Sequence, residues 1–157
     1  MRLAGALLLC LIAAPLLAKE RLGAYQSWAA FKDAEVPRCY AIGSPDDSSG
    51  TGGYISIGFW PKRGLSHQLY VRLSRTRSSN AGITLSVGGR RFQLNADGNI
   101  GRAKDRAMDL AIVAAMRSAH SLSVQSTGAG GGTITDAYAL RGAASAIDAA
   151  ALGCATK

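Results

Sequence analysis

Residues 83–95, ITLSVGGRRFQLN, carry the clearest structural signal in the chain. Apolar and polar side chains alternate over residues 83–87, two glycines follow, and the alternation returns with Phe92 and Leu94. A period of two places the apolar side chains on one face of a β-strand. Gly88 and Gly89 can adopt the positive φ angles that a two-residue turn requires. The stretch therefore predicts a β-hairpin with one face in a core.

The same alternation recurs on both sides of this hairpin. Residues 53–60, GYISIGFW, and residues 68–73, QLYVRL, are predicted strands, and Pro61 ends the first of them because it cannot donate to a β-ladder. Repeated short strands of period two are typical of an antiparallel sheet or sandwich. Further strands are predicted over residues 38–42 and, as a second hairpin around a glycine-rich turn, over residues 121–126 and 133–140.

Two segments have a helical pattern instead. Asp105 is a good N-cap for a helix that continues to about His120, with apolar residues at every fourth position. The alanine-rich residues 143–152 predict a short helix, which Gly153 is expected to stop. Together the patterns predict a mainly β fold: an antiparallel, β-sandwich-like single domain with one covering helix and a short C-terminal helix.

The N-terminus predicts export. Arg2 provides a positive start, residues 3–17 are apolar, and charge returns at Lys19 after Ala18. This is the pattern of a secretory signal peptide, and the apolar run is shorter than the roughly 20 residues that span a bilayer. We expect cleavage after Ala18, which leaves one domain over residues 19–157 without a transmembrane segment.

Export also bears on the three cysteines. Cys10 lies in the predicted signal peptide, so Cys39 and Cys154 remain. Because exported proteins enter an oxidising compartment, this pair predicts one disulfide. Two unrelated buried thiols are the alternative.

No catalytic or metal-binding motif is evident. The sequence contains no G-x-S-x-G, C-x-x-C or H-E-x-x-H motif, and its histidines are His67 and His120. We therefore predict no enzymatic activity, no cofactor and no metal. A hydrolase acting on envelope sugars is a weaker alternative, which would need carboxylates such as Asp97, Asp109 and Asp136 to converge in a cleft.

The net charge points to an anionic partner. Lys and Arg total 18 against 10 for Asp and Glu, a formal charge of +8, which loss of Arg2 would lower to +7. Such a charge attracts an anionic envelope component or a protein partner, and export argues against nucleic acid. The alternative is a basic surface with no dedicated ligand.

Four side chains are the candidate partner-binding residues. Tyr54 and Trp60 share the outward parity of one predicted strand, and Tyr70 and Arg72 share that of the next. Tyr, Trp and Arg are the residues that most often dominate binding energy, so the four could form an aromatic and cationic platform. Alternatively, the 105–120 helix or a second sheet covers this face, and Trp60 and Tyr70 are then core residues.

The chain contains Trp28, Cys39 and residues 87–94 (VGGRRFQL), 111–117 (AIVAAMR), 121–127 (SLSVQST), 135–142 (TDAYALRG) and 146–154 (AIDAAALGC). In these residues it resembles the invasion-associated locus B family. Family members often carry a second cysteine soon after the early tryptophan and an Arg-Gly-Thr hairpin turn, whereas this chain has AAFK at 29–32 and GGGT at 130–133.

The resemblance implies an exported protein of the Gram-negative envelope, periplasmic or associated with the outer surface. Most members of the family have no assigned activity. We therefore expect a non-enzymatic protein that binds an envelope or host-surface partner. A structural periplasmic component without a discrete ligand is the alternative.

Overall fold

The computed structural model describes residues 19–46 and 52–155. The predicted signal peptide, residues 1–18, lies outside the described residues. Ten strands and two α-helices occur within them. In chain order these are β1 (Glu20–Tyr25), β2 (Trp28–Asp33), β3 (Arg38–Gly43), β4 (Tyr54–Trp60), β5 (Leu65–Arg72), β6 (Ile83–Val87), β7 (Arg90–Asp97), β8 (Ile100–Arg102), α1 (Arg106–Ser118), β9 (Ser121–Thr127), β10 (Thr133–Ala139) and α2 (Ala143–Ala155).

The ten strands form one curled sheet in the order β1-β2-β3-β4-β5-β8-β7-β6-β9-β10. Every neighbouring pair is antiparallel. The predicted mainly β, antiparallel single domain with a covering helix and a C-terminal helix is confirmed. In a β-sandwich the core lies between two sheets. Here the core lies between the inner face of one curled sheet and the two helices.

The hairpin predicted from residues 83–95 is formed by β6 and β7. Ile83 pairs with Leu94, and Gly88 and Gly89 turn the chain with φ angles of 57° and 73°. Two successive positive φ angles match the right-handed twist of the strands that they join. The large apolar residues of both strands are buried, as the alternation predicts.

Both helices pack on the inner face of the sheet. The Asp105 side chain accepts a hydrogen bond from the Met108 amide (2.8 Å) and so caps α1, as predicted. This helix packs against β5 and β6, and α2 packs against β1 to β4. An ion pair of 2.6 Å between Arg117 and Asp148 joins the two helices. The outer face of β2 to β5 carries neither helix.

Asp109 of α1 completes the hydrogen bonding of β5. Strand β8 ends at Arg102, which pairs with Tyr70, so β8 does not reach Leu69. The Leu69 amide instead donates to Asp109 Oδ1 at 2.8 Å. Burial raises the pKa of the Asp109 carboxyl, and this hydrogen bond opposes the rise. The Asp109 carboxylate therefore stabilises the fold, because it accepts the Leu69 amide that the short strand β8 leaves without a partner.

The predicted end of the C-terminal helix is wrong. Helix α2 continues through Gly153 to Ala155. A Cβ at position 153 would lie 2.5 Å from Leu22 Cδ1, so glycine permits the close approach of the helix to β1. Its role is therefore packing between elements distant in sequence, which a local stop signal cannot reveal.

The curl of the sheet brings its two ends together. The Trp28 indole N–H donates to the Ala139 carbonyl (2.9 Å), and the Asp46 amide donates to the Ala137 carbonyl (2.7 Å). Gly142 has a φ of 88°, and a Cβ there would lie 1.9 Å from the Tyr25 carbonyl oxygen, so only glycine fits. Residues in or next to β1, β2 and β3 thus close against the end of β10.

A disulfide fastens α2 to the sheet. The sulfur atoms of Cys39 on β3 and Cys154 on α2 lie 2.05 Å apart, and the Cα atoms lie 5.7 Å apart. The structure thus places the predicted pair at disulfide distance. Cys39 is fully buried on the inner face, between the outward-facing Arg38 and Tyr40.

Removing this disulfide should lower the free energy of unfolding. The cysteines are 115 residues apart, and closure of such a loop contributes about 4–5 kcal/mol in the chain-entropy model. We expect this loss for the Cys39→Ala/Cys154→Ala variant in urea denaturation. Reduced wild-type protein is the control and should lose a similar amount, while the variant should not respond to reductant. Two alkylatable thiols in untreated wild-type protein would contradict the bridge.

Candidate functional site

The outer face of β3, β4 and β5 holds a cleft of about 610 Å³. Its floor is formed by Ser56 and Gly58 of β4 and Gln68 of β5. These residues alternate with the buried Ile55, Ile57 and Leu69, so the alternation that builds the core also directs the polar residues outward. The cleft is therefore a direct product of strand periodicity.

Aromatic side chains from three strands line the cleft: Tyr40, Tyr54, Trp60 and Tyr70. The Tyr54 and Tyr70 rings stack with centroids 5.7 Å apart and planes inclined by 16°. Burial and a hydrogen bond with Tyr70 raise the pKa of Tyr54, so the hydroxyl is neutral at neutral pH. Tyr40 stacks on Phe31 of β2 at 5.6 Å, which supports the ring from outside the cleft.

Arginines lie over these rings. The Arg38 guanidinium is 4.7 Å from the Tyr40 centroid and 5.3 Å from that of Trp60. Arg63 lies 5.5 Å from the Trp60 ring, and Arg102 lies 5.1 Å from the Tyr70 ring. Each such contact contributes about 0.5–1 kcal/mol at an exposed site. The rings therefore hold the arginine heads in place at the cleft.

A bulge shapes the end of the cleft near Trp60. The register of β4 and β5 shifts between Gly58 and Trp60, so Ser66 and His67 together lie opposite Phe59. Residues Pro61–Arg63 then form one 3-10 turn, which ends at Gly64 with a φ of 63° and brings Arg63 back over the Trp60 ring. A Cβ at Gly58 would lie 3.2 Å from Trp60 Nε1, so glycine makes room for the indole.

His67 occupies the bulge with a φ of 60°, and its ring packs edge-on against Phe59 at 4.9 Å. Burial, reinforced by Arg117 and Arg106, lowers the pKa of the His67 imidazole, so the ring is neutral at neutral pH. The ring lies on the core side of β5 and does not line the cleft.

The electrostatics of the cleft are one-sided. Lys19, Arg38, Arg63 and Arg102 line it, and none of its described lining residues is acidic. Asp33 is nearby, but it pairs with Arg38 at 3.7 Å. The Arg38 Nε is buried and has no hydrogen-bond partner among the described residues. Fixed guanidinium groups of this kind suit oxyanions, which accept paired N–H donors.

The structure brings together three of the four candidate partner-binding residues. Tyr54, Trp60 and Tyr70 line the cleft. Arg72 lies opposite Tyr54 in the β4–β5 register and is exposed, but it does not line the cleft. Arg102 lies over Tyr70 instead.

The helix predicted at 105–120 does not cover these residues, because α1 packs on the opposite face.

Sequence reasoning missed the basic residues of the cleft. Arg38 and Tyr40 flank the buried Cys39, so strand parity could have found them.

The carboxylates considered for a hydrolase lie elsewhere. Asp109 accepts the Leu69 amide, and Asp136 accepts both the amide and the hydroxyl of Ser74. Asp97 is exposed on β7, opposite Ile100. None of the three lines the cleft.

Over residues 19–46 and 52–155, no cluster of His, Cys, Asp and Glu is placed to hold a metal. Within the same ranges, no helix is both long and apolar enough to span a bilayer. Comparisons of the chain with protein-family models, curated proteins and solved structures gave no match.

Truncating two tyrosines tests whether the cleft is a surface feature. Tyr70 is half-buried, so Tyr70→Ala should cost about 1 kcal/mol through its cross-strand contacts. Tyr138 is fully buried, and the same change there should cost about 3–5 kcal/mol. Urea denaturation of both variants measures the difference. Equal losses of unfolding free energy in the two variants would mean that Tyr70 is a core residue, and would contradict an exposed platform of Tyr54, Trp60 and Tyr70.

Proposed function

We propose that this chain is an exported, non-enzymatic protein of the Gram-negative envelope, of the invasion-associated locus B type. Its role is to bind an anionic partner through the outer cleft, in the periplasm or at the outer surface. The observation that carries the proposal is the cleft itself: four stacked or paired aromatic rings, four basic side chains and no acidic residue among the described lining.

Two arginines of the cleft, Arg63 and Arg102, form no ion pair with a described carboxylate. Several other arginines serve internal contacts. Arg77 donates to the carbonyls of Gly98, Ser78, Ser79 and Ala81, and Arg117 pairs with Asp148. By contrast, Arg63 and Arg102 have ring contacts and no described carboxylate partner. Their positive charge is available to a ligand.

The alternative of a structural envelope component without a discrete ligand predicts a smooth basic surface. The volume and composition of the cleft favour the binding role. The export that the proposal requires is supported by the sequence pattern of residues 1–19.

Sedimentation with isolated Gram-negative envelope fragments tests the proposal. The protein is produced from the full chain and recovered from the periplasmic fraction, where N-terminal sequencing should begin at Lys19. We expect binding that weakens as salt screens the charges. Arg63→Gln/Arg102→Gln should weaken it by about tenfold or more per arginine, because a hydrogen bond to a charged group contributes about 1.5–3 kcal/mol.

Arg90→Gln is the matched control. The Arg90 guanidinium also lies over an aromatic ring, 4.8 Å from that of Phe92, but at the β6–β7 turn away from the cleft. This variant should bind like the wild type. Equal weakening by the control, or undiminished binding by the cleft variant, would contradict the proposal.

A further inference from the structure

The three arginines of the cleft are divided between its two ends. Arg38 and Arg63 lie over Trp60 at one end. Arg102 lies over Tyr70 at the other, where Tyr70 pairs with Ser56 of β4. Ser56 and Trp60 are four residues apart on that strand, so a strand rise of about 3.3 Å per residue separates the ends by roughly 13 Å.

The floor between these ends is polar and uncharged. It consists of the Ser56 hydroxyl, the Gly58 backbone and the Gln68 amide, with Gly58 and Gln68 directly paired. Hydroxyl and amide groups both donate and accept hydrogen bonds. Such a floor matches a ligand segment that turns hydroxyl groups, rather than its charged groups, toward the sheet.

The cleft offers little to an acyl chain. The ring faces of Tyr40, Trp60 and Tyr70 are already occupied by guanidinium groups. The large apolar residues that are exposed in the described chain, Val36, Leu110 and Leu152, lie outside the cleft. These features favour a polar chain over a lipid.

Resting on the proposed function, we infer that the cleft binds an acidic oligosaccharide whose negative groups engage both ends. One oxyanion meets Arg38 and Arg63, another meets Arg102, and the sugar hydroxyls between them bond to Ser56 and Gln68. Binding is thus bivalent: once one end is held, the other is presented at high effective concentration.

The test compares galacturonate with hexagalacturonate by isothermal titration calorimetry, using residues 19–157. Bivalent binding should make the hexamer about 100-fold tighter than the monomer. In Arg102→Gln the ratio of the hexamer affinity to the monomer affinity should fall to within a few-fold of one, because only the Arg38 and Arg63 end can still bind an anion. Arg90→Gln should preserve the wild-type ratio, and the melting temperature of each variant checks its fold.

Further probes separate the sources of the anion. A sulfated heparin hexasaccharide, with the same dependence on Arg102, would also support the inference and would identify sulfate as an accepted oxyanion. Cleft-dependent binding that is confined to phosphatidylglycerol vesicles or to a single-stranded oligonucleotide would overturn it.

The result also separates this inference from the proposed function. Equal affinity for monomer and hexamer, still lost in Arg38→Gln, would overturn the bivalent oligosaccharide but leave an anion-binding cleft. Binding of no probe through the cleft, together with envelope binding that ignores the cleft variants, would overturn both.

Discussion

Packing of α1 and α2 against the inner face of the curled sheet determines which surface remains for a ligand. Burial of the apolar face provides the stability of the fold, and both helices serve it. The opposite face of β3 to β5 is then open. Strand β3 contributes to both faces. Cys39 faces α2 and forms the disulfide with it, while the neighbouring Arg38 and Tyr40 face the cleft.

The aromatic residues of the cleft act through the arginines that they hold. A free arginine side chain loses rotamer freedom when it binds a ligand, at a cost of up to about 2 kcal/mol. Contact of Arg38 with two rings, and of Arg102 with one, reduces this freedom before binding. The rings therefore favour affinity by ordering the donors in advance, as well as by covering apolar surface.

Strand periodicity predicted much of the fold, and it placed Tyr54, Trp60 and Tyr70 on one face. The pattern was clear where large apolar residues alternate, as in β6 and β7. The pattern was unclear in β1 and β2, where alanine and glycine reduce the contrast between the two faces. It could not be detected in β8, because a strand of three residues is too short to show an alternation.

The missed parts of the site have related causes. Arg102 belongs to the short β8, and Arg63 reaches the cleft only through a bulge and a 3-10 turn. Both positions depend on pairing between strands rather than on the local pattern. The same reason explains Gly153, whose packing against Leu22 no local rule could indicate.

Ligand binding at the outer face is measured by titration of ¹⁵N-labelled residues 19–157 with hexagalacturonate, followed through amide chemical shifts. An outer-face site predicts that the largest shifts occur at Tyr40, Gly58 and Arg102, which come from three strands and meet in the cleft. The largest shifts at Leu110 and Leu152, on the exposed sides of the two helices, would contradict the account.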